Sequence, residues 1–104
     1  MEENDKYQLI AMNIIASSGE TRSLAFEALR EAKAGNIAQA DEMLKQADET
    51  IITAHKAQMD LLVGEANGEK ADLSILLIHS QDHLMTSMLA LDLIKEMVDM
   101  IKNK

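Results

Sequence analysis

The chain has 104 residues, no Cys, no Pro and a net charge of −8. That length suits one domain with a modest core, and the missing cysteines rule out disulfides and thiolate metal sites. With no basic stripe to neutralise phosphates, nucleic acid and anionic membrane surfaces are poor partners.

Hydrophobic residues make up 47% of the chain, yet only one is Tyr and one Phe. The core must therefore be aliphatic, built from Leu, Ile, Ala and the eight Met. So few Gly and Pro predict long helices and few turns. The start, MEENDKYQ, lacks the basic flank and apolar run of a signal peptide. The longest aliphatic run, Ile75 to Ile78, is far too short to cross a bilayer. The expectation is a cytoplasmic protein without direct membrane insertion, forming a single helical domain over residues 1–104.

The first element runs from about Glu3 to Ala34. Leu9, Ile10 and Ile14, then Leu24, Ala25, Ala28, Leu29 and Ala32, recur at helical spacing. Ser17-Ser18-Gly19 is a soft spot, read as a kink or a short break between two helical pieces. Gly35 is a good left-handed stop. The second element opens at Asn36, a favoured N-cap with Gln39 at capping-box spacing. The set Ile37, Ala40, Leu44, Ala47, Ile51, Ala54, Gln58, Leu61 and Leu62 repeats at three and four, and the element frays through Gly64 to Gly68. The third runs from about Asp72 to Asn103. Each element would be on the order of 45 Å long. Short connections between long, equal helices give an all-α, antiparallel up-down-up three-helix bundle.

The third helix carries two apolar stripes. Leu73, Leu76, Leu77, Leu84, Met88, Leu91, Ile94 and Val98 form one. Ile75, Ile78, Asp82, Met85, Leu89, Asp92 and Glu96 lie on a neighbouring one. A helix apolar over most of its circumference is surrounded by protein, and two partner helices cannot surround it. Positions 75, 78, 82, 85 and 89 alternate three and four, as an a/d seam does. The chain is therefore expected to associate with copies of itself through this helix.

Inside that segment, IHSQDHLMTSM places His79, Asp82 and His83 among apolar residues. Positions 79, 82, 83 and 86 share one helix face. Burying such groups unpartnered costs several kcal/mol, and three chemistries would account for them. A neutral imidazole can attack phosphorus and pass the phosphoryl group on, with Ser80, Gln81, His83 and Thr86 as hydrogen-bond donors around the dianion. No Gly-rich phosphate loop or GK[ST] occurs, so the phosphoryl group would have to come from another protein. Alternatively, His79 and His83 have the i, i+4 spacing of helical zinc ligands, but Ser80 stands where a zinc protease has Glu and no third ligand is evident. The third possibility is a non-catalytic helical oligomerisation module with polar residues tolerated in its seam. His55, in the polar stretch TAHKAQ, fits a plain surface role. If third helices meet on a symmetry axis, Asp82 carboxylates meet there too. A cation with oxygen ligands such as Mg²⁺, a protonated carboxyl cluster, or a rotated helix with Asp82 in water would each relieve the repulsion.

Three stretches, SGETRSLAFEALREAKAGNIAQADEML, TAHKAQ and above all IHSQDHLMTSMLALDLI, resemble enzyme IIA of the lactose/cellobiose class of the bacterial sugar phosphotransferase system. The resemblance covers nearly the whole chain, with His-x-Gln-Asp-His-Leu-Met as its specific signature. It implies three-helix subunits associated as a homotrimer. It further implies that His79 is phosphorylated by the phosphocarrier HPr and donates to a Cys of the cognate enzyme IIB. The sugar served would be a disaccharide such as cellobiose, chitobiose or lactose. Gln81 and His83 would support the phosphohistidine, and Asp82 would bind a metal ion shared at the trimer axis, usually Mg²⁺.

Overall fold

The structure, a computed structural model, describes residues 3–69 and 73–104. Three helices account for nearly all of them: α1 (Glu3–Lys33), α2 (Ile37–Ala66) and α3 (Ile75–Lys102), with no strand among the described residues. The long axis measures 52 Å. The expected start of α3 near Asp72 lies outside the described residues.

The buried positions explain the topology. Along α1 they are Ala11, Ile14, Ser18, Thr21, Ala25, Ala28 and Ala32, alternating three and four. Along α3 they are Ser80, Leu84, Ser87, Leu91, Ile94 and Val98, in the same alternation. Along α2 they are Ala40, Ala47 and Ala54, one per heptad. This is the 3.5-residue period of helices packed nearly parallel or antiparallel. At one end of the bundle Ile14 packs with Ala54 and Leu84. At the other, Ala32 packs with Ala40 and Val98. Rising numbers on α1 thus pair with falling numbers on α2 and rising ones on α3, which is the up-down-up arrangement expected.

Small side chains set the spacing. Ala and Ser on the α1 and α2 seams let backbones approach closely, and Leu84, Leu91, Ile94 and Val98 of α3 fill what remains. Both α2 and α3 pack along the length of α1, while they touch each other only sparsely. One flank of α3 is therefore left without a partner. Ile75, Ile78, Met85 and Leu89 are 57–88% exposed, although the sequence marks them as a seam.

Several local expectations change. α1 is unbroken through Ser17-Ser18-Gly19. Two of the hydroxyls here are satisfied within the helix, the Ser17 hydroxyl donating to Asn13 Oδ1 at 3.3 Å and the Thr21 hydroxyl to the Ser17 carbonyl at 2.9 Å, while the buried Ser18 hydroxyl has no partner. Thr21 Oγ1 also lies 2.6 Å from Thr50 Oγ1, tying α1 to α2. Asn36 does not cap α2 with its side chain. Its amide donates instead to Glu31 Oε2 at 2.7 Å, and its backbone N–H to the Glu31 carbonyl at 2.8 Å, so the side chain closes the end of α1. Gly35 takes the left-handed conformation expected, at φ +90°. α2 does not fray at Gly64 but continues to Ala66, where the Asn67 N–H still reaches the Val63 carbonyl. The working cap is Ser74, in extended conformation, whose hydroxyl accepts the Leu77 N–H at 3.0 Å.

Candidate functional site

His79 and His83 lie one turn apart on the N-terminal half of α3. Their rings stack with centroids 5.6 Å apart and planes inclined by 28°. His79 is exposed and His83 half-buried against α1. The i, i+4 spacing alone brings the rings together, and the 3.5-period seam decides which is covered. Leu84 faces the core, so His83, one residue before it, sits on the flank toward α1. His79, the residue before buried Ser80, lies one turn nearer the helix start and stays in solvent.

α1 supplies the contacts that fix His83. Arg22 Nη2 lies 3.4 Å from His83 Nδ1 and donates to Thr86 Oγ1 at 2.6 Å. Thr86 is itself anchored on α3, its hydroxyl lying 3.0 and 3.2 Å from the carbonyls of Asp82 and His83. The other ring nitrogen, Nε2, passes over Gly19, where an added Cβ would stand 3.4 Å away. Burial, the Arg22 guanidinium and the neighbouring His79 hold the His83 pKa below the usual imidazole value, against an opposing pull from Asp82.

The other expected residues divide. Asp82 is exposed on the bare face of α3, between Ile78 and Met85, and no Lys or Arg pairs with it among the described residues. Gln81 is half-buried and lines a separate cleft of about 210 Å³ with Tyr7, Gln58 and Leu77. Within the subunit it does not close around the imidazoles. Ser80 is not a free donor: it is fully buried on the seam, and its hydroxyl is satisfied by the Leu77 carbonyl at 2.6 Å. Thr86 is likewise engaged by its own helix and by Arg22. Among the described residues no group of three or more His, Cys, Asp or Glu could hold a metal within one subunit, so the i, i+4 zinc pairing finds no third ligand. His55 is exposed on α2, as its polar surroundings predict.

Arg22 and Gly19 are the contributors that reading the sequence misses. Both sit in or beside the stretch that resembles a weak point in α1. The available signal is register: Arg22 follows the buried Thr21, and Gly19 follows the buried Ser18, so both flank the α1 seam at the level where His83 arrives.

The fold and site define an all-helical, three-helix domain with a stacked imidazole pair on its last helix, one ring clamped from the first helix and the other free. Residues 9–102 match the family described as the lactose/cellobiose-specific IIA subunit of the PTS system, and the chain belongs to that family. It is 45% identical over 94 residues to the lactose-specific EIIA component of Streptococcus mutans, covering 90% of each protein. Its structure superposes on that of the cellobiose-specific enzyme IIA from Bacillus anthracis with a TM-score of 0.91 at 43% identity, covering 99% of this chain and 92% of the other. A solution structure of the chitobiose IIA–HPr complex from Escherichia coli matches with a TM-score of 0.80 at 40% identity, covering 99% and 97%. Among the described residues, no helix is long and apolar enough to cross a membrane.

Proposed function

We propose that this chain is a phosphoryl carrier whose acceptor is the His79 imidazole. The observation that carries the reading is the asymmetry of the imidazole pair. His79 is open to an incoming protein, while its stacking partner is held between Arg22 and Gly19. A lone pair on His79 attacks the phosphorus of a phosphohistidine on HPr; a new N–P bond forms as the old one breaks. The same group then moves to a Cys thiolate of a cognate enzyme IIB, breaking the N–P bond of His79 and forming S–P. The chain supplies no nucleotide-binding loop, so the phosphoryl group is always received from and delivered to protein. Membership of the family supports HPr as donor, as does likeness to a relative solved in complex with HPr. The family's description, lactose/cellobiose-specific, and the names of lactose- and chitobiose-specific relatives support a disaccharide of that kind as the sugar served.

The carrier works as a homotrimer in this reading, with the bare flank of α3 covered by its copies. Ile78, Met85 and Leu89 lie exposed along one flank of α3 with only Asp82 among them, the kind of surface a monomer rarely leaves open. Asp82 in that strip fits a cation site: an unpaired carboxylate oxygen donor, brought three times to one axis, suits Mg²⁺. The ion would offset repulsion between the carboxylates. His83, stacked on the phosphorylated ring, serves as its polar support, whereas Gln81 faces its separate cleft and gives such support only from outside the subunit.

The test is intact mass after incubation with enzyme I, HPr and phosphoenolpyruvate. One added phosphoryl group, lost on mild acid treatment and absent in His79→Ala, is the expected result. No gain, with the same components active on a known acceptor, would leave a non-catalytic binding module. Labelling that survives in His79→Ala would move the acceptor to His83.

A further inference from the structure

Two imidazoles lie side by side here, and each is a competent nucleophile in its neutral form. Something must decide between them. We infer that Arg22 is a positioning residue that commits the Nδ1 lone pair of His83 and so leaves His79 as the only nucleophilic imidazole of the pair. This rests on the carrier reading above for its purpose, though not for its geometry.

A guanidinium has five N–H donors and no acceptor. Whatever faces it must present a lone pair, and the atom facing Arg22 Nη2 is His83 Nδ1, at 3.4 Å. In the neutral ring the proton then sits on Nε2. That nitrogen has no lone pair to offer and is pressed toward the α1 backbone at Gly19. Neither nitrogen of His83 is left as a nucleophile. The contact is held because the same Nη2 donates to Thr86 Oγ1 at 2.6 Å. The Thr86 hydroxyl is in turn fixed by its own hydrogen bonding to the α3 carbonyls of Asp82 and His83. Arg22 is thus pinned to the helix that carries the ring it controls. His79 has no such clamp among the described residues; its stacking on His83 leaves the ring edges open.

A chemical probe of imidazole lone pairs tests this without any phosphotransferase component. The intact protein is treated with diethyl pyrocarbonate at about pH 8, well above the ordinary imidazole pKa. Carbethoxylation at each His is followed by peptide mass mapping. His79 should react readily and His83 slowly. Arg22→Met keeps most of the bulk over the ring but removes every donor. It should speed His83 modification by about tenfold or more, the change expected on losing one charge-assisted hydrogen bond, and leave the His79 rate alone. Arg22→Lys, which keeps a donor, should restore protection. ¹⁵N shifts of the His83 ring give an independent signature: protonated Nε2 and bare Nδ1 in the parent, with the Nδ1–H form appearing in Arg22→Met. Should Arg22→Met fail to fold by circular dichroism, Thr86→Val removes the anchor and should expose His83 in the same direction. Equal reactivity of both rings in the parent, a protonated Nδ1, or no change in the variants would overturn the inference. None of these results depends on whether HPr phosphorylates the protein, so the clamp and the carrier reading can fail separately.

Discussion

Gly19→Ala sets helix propensity against steric contact with the His83 ring at the centre of the site. Gly19 lies inside α1 without a positive φ, so it bears the entropic cost of a helical glycine, about 0.8–1.0 kcal/mol relative to Ala. The opposing effect is steric. A Cβ at this position would sit 3.4 Å from His83 Nε2 and meets no other heavy atom within 4 Å. That is ordinary van der Waals distance, so the methyl fits and the propensity gain should win. The expected outcome is stabilisation of about 0.5–1 kcal/mol. At about 4–8 °C per kcal/mol for a chain of this size, the melting temperature should rise by roughly 2–8 °C. The melt is followed by circular dichroism at one protein concentration for parent and variant, because self-association shifts the midpoint by mass action. Gly19→Leu is the companion. Atoms beyond Cβ have no room on the ring side, and overpacking should cost about 1–3 kcal/mol and displace His83. Destabilisation by Gly19→Ala of more than about 1 kcal/mol would refute the reasoning, since it would mean that the imidazole already occupies the space of the methyl.

Three further outcomes follow from the contacts described. Ser74→Ala removes the acceptor of the Leu77 N–H and should cost about 1 kcal/mol, whereas Asn36→Ala, which loses only an exposed side-chain pair with Glu31, should cost less than about 0.5 kcal/mol; urea unfolding distinguishes them, and equal costs would contradict the cap assignment. On the trimer and shared cation proposed above, Asp82→Leu should keep the assembly and abolish Mg²⁺ binding, since replacing charges crowded at an apolar interface by packed side chains is commonly neutral or stabilising; sedimentation equilibrium together with metal analysis reads both for parent and variant, a parent that is monomeric or binds no Mg²⁺ would refute the proposal, and dissociation of the variant alone would show the carboxylate to be needed for assembly. Lys95→Met should change stability by less than about 0.5 kcal/mol, because the Lys95–Asp48 pair, although only 2.5 Å apart, has side chains 40% and 47% exposed; a larger loss would mean that the pair is better shielded than its exposure shows.

What can be read in the sequence is whatever the helical period carries. Three long helices, the stop at Gly35 and the outward seam of α3 all follow from apolar spacing and from the absence of proline. The same spacing misleads wherever the core uses residues that hydropathy does not flag. Ser18, Thr21, Ser80 and Ser87 are fully buried and complete the seams on α1 and α3, but a hydrophobic count passes over them. Ser17-Ser18-Gly19 therefore resembles a break when it is a close-approach surface for α3. Ser80 resembles a hydrogen-bond donor to a phosphoryl group for a related reason: its place in the motif is visible in sequence, whereas the Leu77 carbonyl that occupies its hydroxyl is not. Arg22 is hidden because its partners lie more than sixty residues away, at separations of 61 and 64, and no local pattern encodes a contact across two connections.

The arrangement of α3 also explains how so short a motif could serve the chemistry and the assembly proposed above. Successive residues on a helix turn by about 100°, so Asp82, His83 and Leu84 leave the axis in three directions. Leu84 goes into the bundle, His83 onto the flank that Arg22 reaches, and Asp82 onto the face that α1 and α2 leave bare. Because α2 scarcely touches α3, nothing within the subunit competes for that third direction. A one-residue insertion ahead of Asp82 would rotate every upstream side chain by about 100° against the seam. His79 would then leave its i, i+4 register with His83, and the stacked pair would be lost. Leu84, Leu91 and Val98, downstream of the insertion, would keep their places in the core and hold the bundle folded. Chemistry at this site is therefore more sensitive to helical register than the fold is. The tight spacing of the motif reflects the angular constraint on one helix that must face a core, a clamp and a bare apolar flank at once.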